Sequence, residues 1–338
     1  MREPAFWYRP RSPKSHLLSP LGALYGAITA RRMARSGFDA GIPVLCVGNY
    51  HVGGAGKTPT VLALTKLLRE LGESPVVLSR GYGGRLRGPV MVDRMRHTAT
   101  EVGDEPLMMV RDVPVAVARD RLDGVALAKS QGATVILMDD GFQNPNLLKD
   151  ASLIVIDSER GLGNGRVFPA GPLRAPLKPQ LSRTDALVLI GDGHAADDVA
   201  SELAKRGKPV LRARLKPDAG SVARLQGKPV FAFAGIGDPE RFFRTLRTGG
   251  IDVARTRPFA DHHMFSRDEL AALAADAKAG QLTLVTTEKD LARLRGIDGV
   301  PDGIVPFKVA LEFDDPARLK QLISDHLYKA RERRFSTR

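Results

Sequence analysis

A short apolar run, a glycine-rich turn and a helical pattern follow one another over residues 43–71, and no other stretch constrains the fold as strongly. Residues 43–48 read Pro-Val-Leu-Cys-Val-Gly, the composition of a strand buried on both faces. His51-Val52-Gly53-Gly54-Ala55-Gly56-Lys57-Thr58 comes next, and a helix is predicted from about 58 to 71. Glycines at such a turn let several backbone N–H groups converge on phosphate oxygens, and the start of the helix adds a favourable dipole. Lys57 is then placed to reach the β- and γ-phosphates of a nucleotide, and the Thr58 hydroxyl to ligate Mg²⁺. The general phosphate-loop pattern has glycine where His51 stands, so the match is to a Gly-Gly-x-Gly-Lys-Thr variant. A lone Gly-Lys-Thr is common in loops. The strand before it and the helix after it carry the reading.

From there the chain alternates apolar strands and helices. Strands are expected at 74–79, 113–118, 134–138, 153–157 and 186–190, the last closing the series, with a helix over 124–131. Continuous apolar strands separated by helices imply a parallel sheet covered on both faces. A second α/β unit begins near Lys228, with strands at 229–234 and 282–286 and helices at 240–248 and 268–278. The expected architecture is α/β. A phosphate-loop NTPase-like parallel-sheet domain spans 41–225, and a smaller C-terminal α/β domain over 226–330 closes the cleft. An N-terminal amphipathic helix lies within a basic segment over 1–40. The basic residues from Arg331 to Arg338 are expected to fray.

The predicted strand 134–138 runs into Asp139-Asp140. A carboxylate there, beside a phosphate loop, can hold Mg²⁺ directly or through water; on its own it would be a turn former. Guanine-specific relatives usually carry Asn/Thr-Lys-x-Asp. Thr287-Glu288-Lys289-Asp290 has its lysine one place late, which favours ATP.

Lys and Arg number 51 against 38 Asp and Glu, a net charge of +13, so an anionic partner is expected. Aromatic residues are only 6% and no aromatic-interleaved basic platform is present, which argues against nucleic acid. The single cysteine, Cys46, sits in the apolar 43–48 run and reads as a buried strand residue. Residues 1–40 carry Arg2, Arg9, Arg11, Lys14, Arg31, Arg32 and Arg35, with Leu17, Leu21, Leu24 and Ile28 at helical spacing and Phe6-Trp7-Tyr8 ahead of them. That pattern suits the headgroup boundary of a membrane, and it equally suits a helix packed on the protein's own core. No apolar run is long enough to span a bilayer.

Phosphoryl transfer to a hydroxyl needs a positioned proton acceptor and charge neutralisation. Gly103-Asp104-Glu105-Pro106 offers two carboxylates before a helix, Asp261-His262-His263 follows a strand end, and Arg119 and Arg121 follow another. Each has an ordinary reading: a helix cap, a surface loop, a solvated pair.

Together these segments resemble the tetraacyldisaccharide 4′-kinase family, the lipid A 4′-kinases of Gram-negative bacteria. The resemblance runs through Val47-Gly48-Asn49, the 53–59 turn, Ser79-Arg80-Gly81-Tyr82-Gly83-Gly84, Gly103–Pro106, Asp139-Asp140-Gly141-Phe142-Gln143 and Gly163-Asn164-Gly165. It continues through Pro169-Ala170-Gly171-Pro172-Leu173-Arg174, Ala234-Gly235-Ile236, Asp261-His262-His263 and Thr287–Asp290. It implies ATP- and Mg²⁺-dependent phosphorylation of the 4′-hydroxyl of a lipid disaccharide 1-phosphate. The enzyme would be peripheral, at the anionic cytoplasmic face of the inner membrane. It further implies Asp104 as the base, His262 as its partner with His263 adjacent, and Glu105, Asp139 and Asp140 around Mg²⁺. Tyr82, Arg119, Gln143 and Arg174 would contact lipid or nucleotide phosphates. Ala175 stands where the family often has an acidic residue. The competing class is a phosphate-loop ATPase that switches conformation or delivers a partner, which has no need of the Gly-Asp-Glu-Pro and Asp-His-His elements.

Overall fold

The computed structural model describes residues 3–9, 12–297 and 299–336. Arg2, Arg11 and Arg338, counted among the basic terminal residues, lie outside the described residues. The described strands are β1 (Val44–Gly48), β2 (Pro75–Ser79), β3 (Val90–Met91), β4 (Val115–Val117), β5 (Val135–Asp139), β6 (Ala151–Asp157) and β7 (Ala186–Ile190). They continue with β8 (Val210–Pro217), β9 (Val230–Ala234), β10 (Val253–Pro258), β11 (Thr283–Thr287), β12 (Val305–Phe307) and β13 (Val309–Phe313). Nine form one sheet in the order β13-β8-β7-β6-β1-β5-β2-β4-β3, and four form another in the order β10-β9-β11-β12.

In the large sheet β1 lies between β5 and β6 and is parallel to both. Its side chains alternate between two cores. Leu45 and Val47 pack with Leu64 and Leu68 of the helix Lys57–Glu70, while Val44 and Cys46 pack with Ile136, Met138 and Ile156 on the other face. Burial on both faces explains why these strands read as unbroken apolar runs. It also sends the chain out of β1 at the centre of the carboxyl edge, where open α/β sheets bind ligands. The smaller sheet has the same logic: Phe231 and Phe233 face one layer, Val230, Ala232 and Ala234 the other.

Three expectations differ from the structure. The large sheet does not end with β7, because β8 pairs parallel with it and β13 pairs antiparallel with β8. Leu211 and Ala213 of β8 face inward while Arg212 and Arg214 face solvent, so this strand carries no continuous apolar signal. The helix Pro316–Ser336 then lays Leu319, Ile323 and Leu327 on the first core. Residues 309–330, expected in the smaller unit, therefore belong to the larger one. Nor is the tail frayed through 331–336. It stays helical, with Arg334 bonded to Asp150 at 3.0 Å and to Asp39, and Arg333 bonded to Asp150 at 2.6 Å.

The N-terminal helix Pro13–Met33 buries its small residues. A Cβ on Gly22 would lie 2.8 Å from the Val167 carbonyl, one on Gly26 would touch Pro176, and Ser15 donates to the Ala170 carbonyl at 2.6 Å. Close approach through glycine turns the bulky face outward: Leu17 is 80%, Leu21 57%, Leu24 62% and Ile28 53% exposed. The helix is thus packed on the fold, yet its leucines are not part of the core. Trp7 is buried beside it, donating to the Pro169 carbonyl at 3.1 Å. Among the described residues, no helix is long and apolar enough to cross a membrane.

Cys46 is fully buried, and burial pushes its thiol up to about 11. The folded protein should therefore stay inert to a thiol-specific chromogenic reagent at pH 8 and react at the free-thiol rate in concentrated guanidinium. A fast reaction without denaturant would contradict this placement.

Candidate active site

The turn after β1 is laced to the 169–174 loop. Val52 N–H donates to the Pro172 carbonyl and Arg174 N–H to the Tyr50 carbonyl, both at 2.8 Å, making a short antiparallel bridge around His51 and Leu173. Asn49 donates to the Gly53 carbonyl at 3.1 Å and braces the turn from within. Gly56 caps the Lys57–Glu70 helix with φ +90°, where any side chain would be strained and its Cβ would displace the Ile190 methyl 2.4 Å away. Glu3 lies against Gly53 and is bonded to Tyr8 and Arg160, which brings the start of the chain to the turn. His51 is buried, and burial with Lys57 and Arg174 nearby brings its imidazole down to about 3, so it is neutral at pH 7.

Two carboxylates end β5 and they differ sharply. Asp140, at φ +49°, accepts two hydrogen bonds from the Arg174 guanidinium at 2.6 and 3.0 Å and lies 3.6 Å from Lys57. Burial alone would raise its pKa, but Lys57 and Arg174 outweigh burial and hold the carboxyl well below the usual range. Asp139 is buried with Oδ1 lacking any hydrogen-bond partner. Burial, then Glu105 and Asp140, push it up to about 7. A buried carboxylate with an orphaned oxygen and two acidic neighbours is a group that a cation would relieve. No cluster of three or more metal-ligating side chains exists among the described residues. Mg²⁺ usually takes one or two carboxylates and completes its shell with water and substrate phosphates. Of the expected donors Thr58, Glu105, Asp139 and Asp140, Asp139 is the carboxylate whose oxygen the chain leaves unsatisfied, whereas Asp140 is engaged by Arg174 and Lys57 and Glu105 by Lys289.

Elsewhere on the larger unit, Gly103 (φ +93°) packs against the Tyr82 carbonyl and starts the helix Asp104–Met109. Asp104 is 5% exposed. One oxygen, Oδ1, accepts from the Glu105 N–H at 2.9 Å. The other, Oδ2, accepts from His262 Nδ1 at 3.0 Å and Arg293 Nε at 2.7 Å, with Lys289 Nζ 3.9 Å away. A carboxylate can only accept, so Nδ1 of His262 carries the proton. Burial would raise the Asp104 pKa; the His262 hydrogen bond, Lys289 and Arg293 override burial and hold it well below the usual carboxylate range. His263 turns away, bonding Glu269 at 3.0 Å and stacking on Phe259, so geometry selects His262 of the two. Lys289 also reaches Glu105 at 3.1 Å. Because Glu105 acts on Asp139, the two carboxylate groups belong to one site.

The remaining candidates are distributed around this site. Tyr82 is exposed, its ring 5.5 Å from that of His262. Arg119 is exposed and leans on the Gly84 carbonyl at 3.4 Å. Gln143 commits its amide N–H groups to the Asn49 carbonyl and the Gln180 side chain, bracing the chain before the phosphate loop. Arg121, expected to be solvated beside Arg119, is buried instead and close enough to Asp139 to attract it. In the sequence Lys289 and Asp290 stood out only within the Thr287–Asp290 segment, with no site role, and Arg293 was not singled out. Their signal was present: Asp290 and Arg293 are three apart on one helix, a spacing that puts both on one face.

A model of the LpxK family, tetraacyldisaccharide-1-P 4′-kinase, matches residues 14–328. A tetraacyldisaccharide 4′-kinase of Bradyrhizobium diazoefficiens is 85% identical over 338 residues, 100% of each chain. One from Rhodopseudomonas palustris is 63% identical, covering 99% of this chain and 100% of its own. Among solved structures, LpxK from Aquifex aeolicus in complex with ATP superposes with a TM-score of 0.73 at 28% identity, over 93% of this chain and 99% of that one.

The Asp139 carboxyl is raised by folding, so it protonates more readily in the native state. Its charged form destabilises the fold, and this effect grows as pH rises from about 4 to about 7. Asp139→Asn should therefore raise the melting temperature of the nucleotide-free protein at pH 8 by roughly 2–4 °C, with the gain vanishing toward pH 4. A lower melting temperature at pH 8 would show that the carboxylate is already compensated.

Proposed function

The chain belongs to the tetraacyldisaccharide 4′-kinase family, and from that membership we propose how its own side chains divide the family's reaction. The protein is a kinase: it transfers the γ-phosphate of ATP to the 4′-hydroxyl of tetraacyldisaccharide 1-phosphate, in lipid A biosynthesis. The backbone of residues 51–58 cradles the triphosphate, and Lys57 neutralises charge on the phosphoryl group as it moves. Asp139, with Thr58, Glu105 and Asp140 beside it, would hold Mg²⁺, which when bound would supply further neutralisation of the phosphate oxygens. Asp104 accepts the proton of the 4′-hydroxyl, and His262 holds the carboxylate in place. Tyr82 and Arg119 line the approach for the sugar and phosphate groups, while Gln143 and Arg174 act from behind, bracing the phosphate loop and Asp140.

The observation that carries this reading is the Asp104–His262 pair. Its members come from the two units, and Glu105, next to Asp104 on the larger unit, acts electrostatically on Asp139 of the same unit. A proton acceptor thereby stands next to the phosphoryl-binding side, which an ATPase without an acceptor substrate does not require. The unit built on the smaller sheet closes the cleft and excludes water.

We propose further that the enzyme rests on the anionic cytoplasmic face of the inner membrane. The outward row Leu17, Leu21, Leu24 and Ile28 supplies apolar area. Arg9, Arg31, Arg32 and Arg35 add roughly 1 kcal/mol each where they approach anionic headgroups.

Incubation with ATP, Mg²⁺ and the lipid disaccharide 1-phosphate should yield a product heavier by one phosphoryl group at the 4′ position. ATP consumption with an unchanged lipid mass would refute the role of acceptor. Asp104→Asn should lower kcat by about 10²–10⁴-fold with KM for ATP within about twofold. Retention of full turnover would remove Asp104 from proton transfer. Replacing Leu17, Leu21 and Leu24 together by serine should abolish co-sedimentation with phosphatidylglycerol vesicles and leave the fold intact by circular dichroism. Undiminished sedimentation would place the membrane contact elsewhere.

A further inference from the structure

The segment after β11 contributes three charged groups that the division of labour above leaves unused. Lys289, Asp290 and Arg293 lie on the short helix Glu288–Leu294. This helix belongs to the smaller unit, whereas Asp104 begins a helix of the larger one. Asp290 is completely buried. Its Oδ2 accepts from the Thr287 hydroxyl at 2.7 Å and the Gly235 N–H at 3.1 Å. Its Oδ1 accepts from Arg293 Nη1 at 2.6 Å, and the same Nη1 donates to the Gly235 carbonyl at 2.6 Å. The guanidinium is thus fixed at one end. Its Nε then points at Asp104 Oδ2, the oxygen that also accepts from His262.

We propose that Arg293 is a positioning residue for the proton acceptor: anchored by Asp290 and the Gly235 carbonyl, it fixes the Asp104 carboxylate so that docking of the smaller unit sets the orientation of the reacting oxygen. This rests on the reading of Asp104 as the acceptor. Three features separate Arg293 from an ordinary interface ion pair. Both Arg293 and Asp104 are almost fully buried, at 2% and 6% side-chain exposure, so their attraction is poorly screened. The guanidinium also leaves Nη2 buried with no hydrogen-bond partner. An unsatisfied buried donor costs stability, so stability alone does not account for an arginine here. Finally, His262 and Arg293 approach the same oxygen from one unit. His262 is at φ +56° on the turn whose backbone N–H donates to the Gly235 carbonyl at 3.1 Å. Gly235 therefore ties both donors to one point, and neither can reach Asp104 unless the turn is seated.

The test is kinetic, on the full-length enzyme with ATP and the lipid acceptor. Arg293→Gln should lower kcat about 10–100-fold, the scale of a misplaced catalytic group, with KM for ATP within about twofold. Arg293→Lys should recover most of that loss, because an ammonium can still reach either anchor. In an Asp104→Asn background, Arg293→Gln should change the residual rate less than twofold, since the two act through one oxygen. A folded Arg293→Gln enzyme with wild-type kcat overturns the proposal, as does an equal loss in both backgrounds. If Arg293→Gln does not fold, Asp290→Asn decides: it should lower kcat at least fivefold at constant KM for ATP, and a wild-type kcat overturns the proposal. Full activity of Asp104→Asn on its own would instead strike at the acceptor reading, so the two failures are distinguishable.

Discussion

The carboxylate of Asp104 is the group on which the cleft depends, because both units of the protein hold it. The larger unit provides its backbone, its helix start and the Glu105 N–H on one oxygen. The smaller unit provides His262, Lys289 and Arg293 around the other. A buried carboxylate alone would take up a proton; three cationic or donating groups keep it ionised. Because those groups outweigh burial, the ionised carboxylate is better stabilised between the two units than in water. The electrostatics of that single side chain therefore favour the docked arrangement of the two sheets over any splayed one. Outlying pairs reinforce it: Arg111 meets Glu288 at 3.2 Å, and Arg241 meets the buried Asp157 at the end of β6.

The opposite condition holds at Asp139. There the protein brings acidic groups together and leaves an oxygen unsatisfied. Neighbouring Asp140 is fully engaged by Lys57 and Arg174. Adjacent residues on one strand end thus have contrasting charge environments, one satisfied by the chain and one suited to a cation. Unsatisfied groups of this kind concentrate where proteins give up stability for chemistry.

Much of the large unit was legible in the sequence for a physical reason. Strands buried on both faces must be apolar throughout, so β1, β2, β5, β6 and β7 stand out as runs, and the glycine-rich turn is readable because its backbone geometry excludes side chains. The rest of the sheet was not legible, because β8 and β13 are half-exposed at its edge and alternate with arginine, lysine and glutamate. The tail misled for a different reason. Its arginines look solvated until Asp39 and Asp150, roughly 180 to 300 positions away, are brought beside them. Asp104, His262, Asp139 and Asp140 were found by motif, and the structure joins them through Glu105. Arg293 was hidden because its partner is nearly 190 positions distant in the chain.

The small face of the N-terminal helix has a mechanical consequence. Glycines at 22 and 26 let it sit flush on the 167–176 stretch, and that stretch is stitched by backbone bonds to the turn around His51. With the leucine row immersed as proposed, no pliable tether separates the lipid surface from the triphosphate cradle. On that proposal the depth of the helix in the headgroups would fix the height of the cradle above them, as a built-in spacer gauge. A sugar can be reached only at the elevation where its acyl chains already hold it.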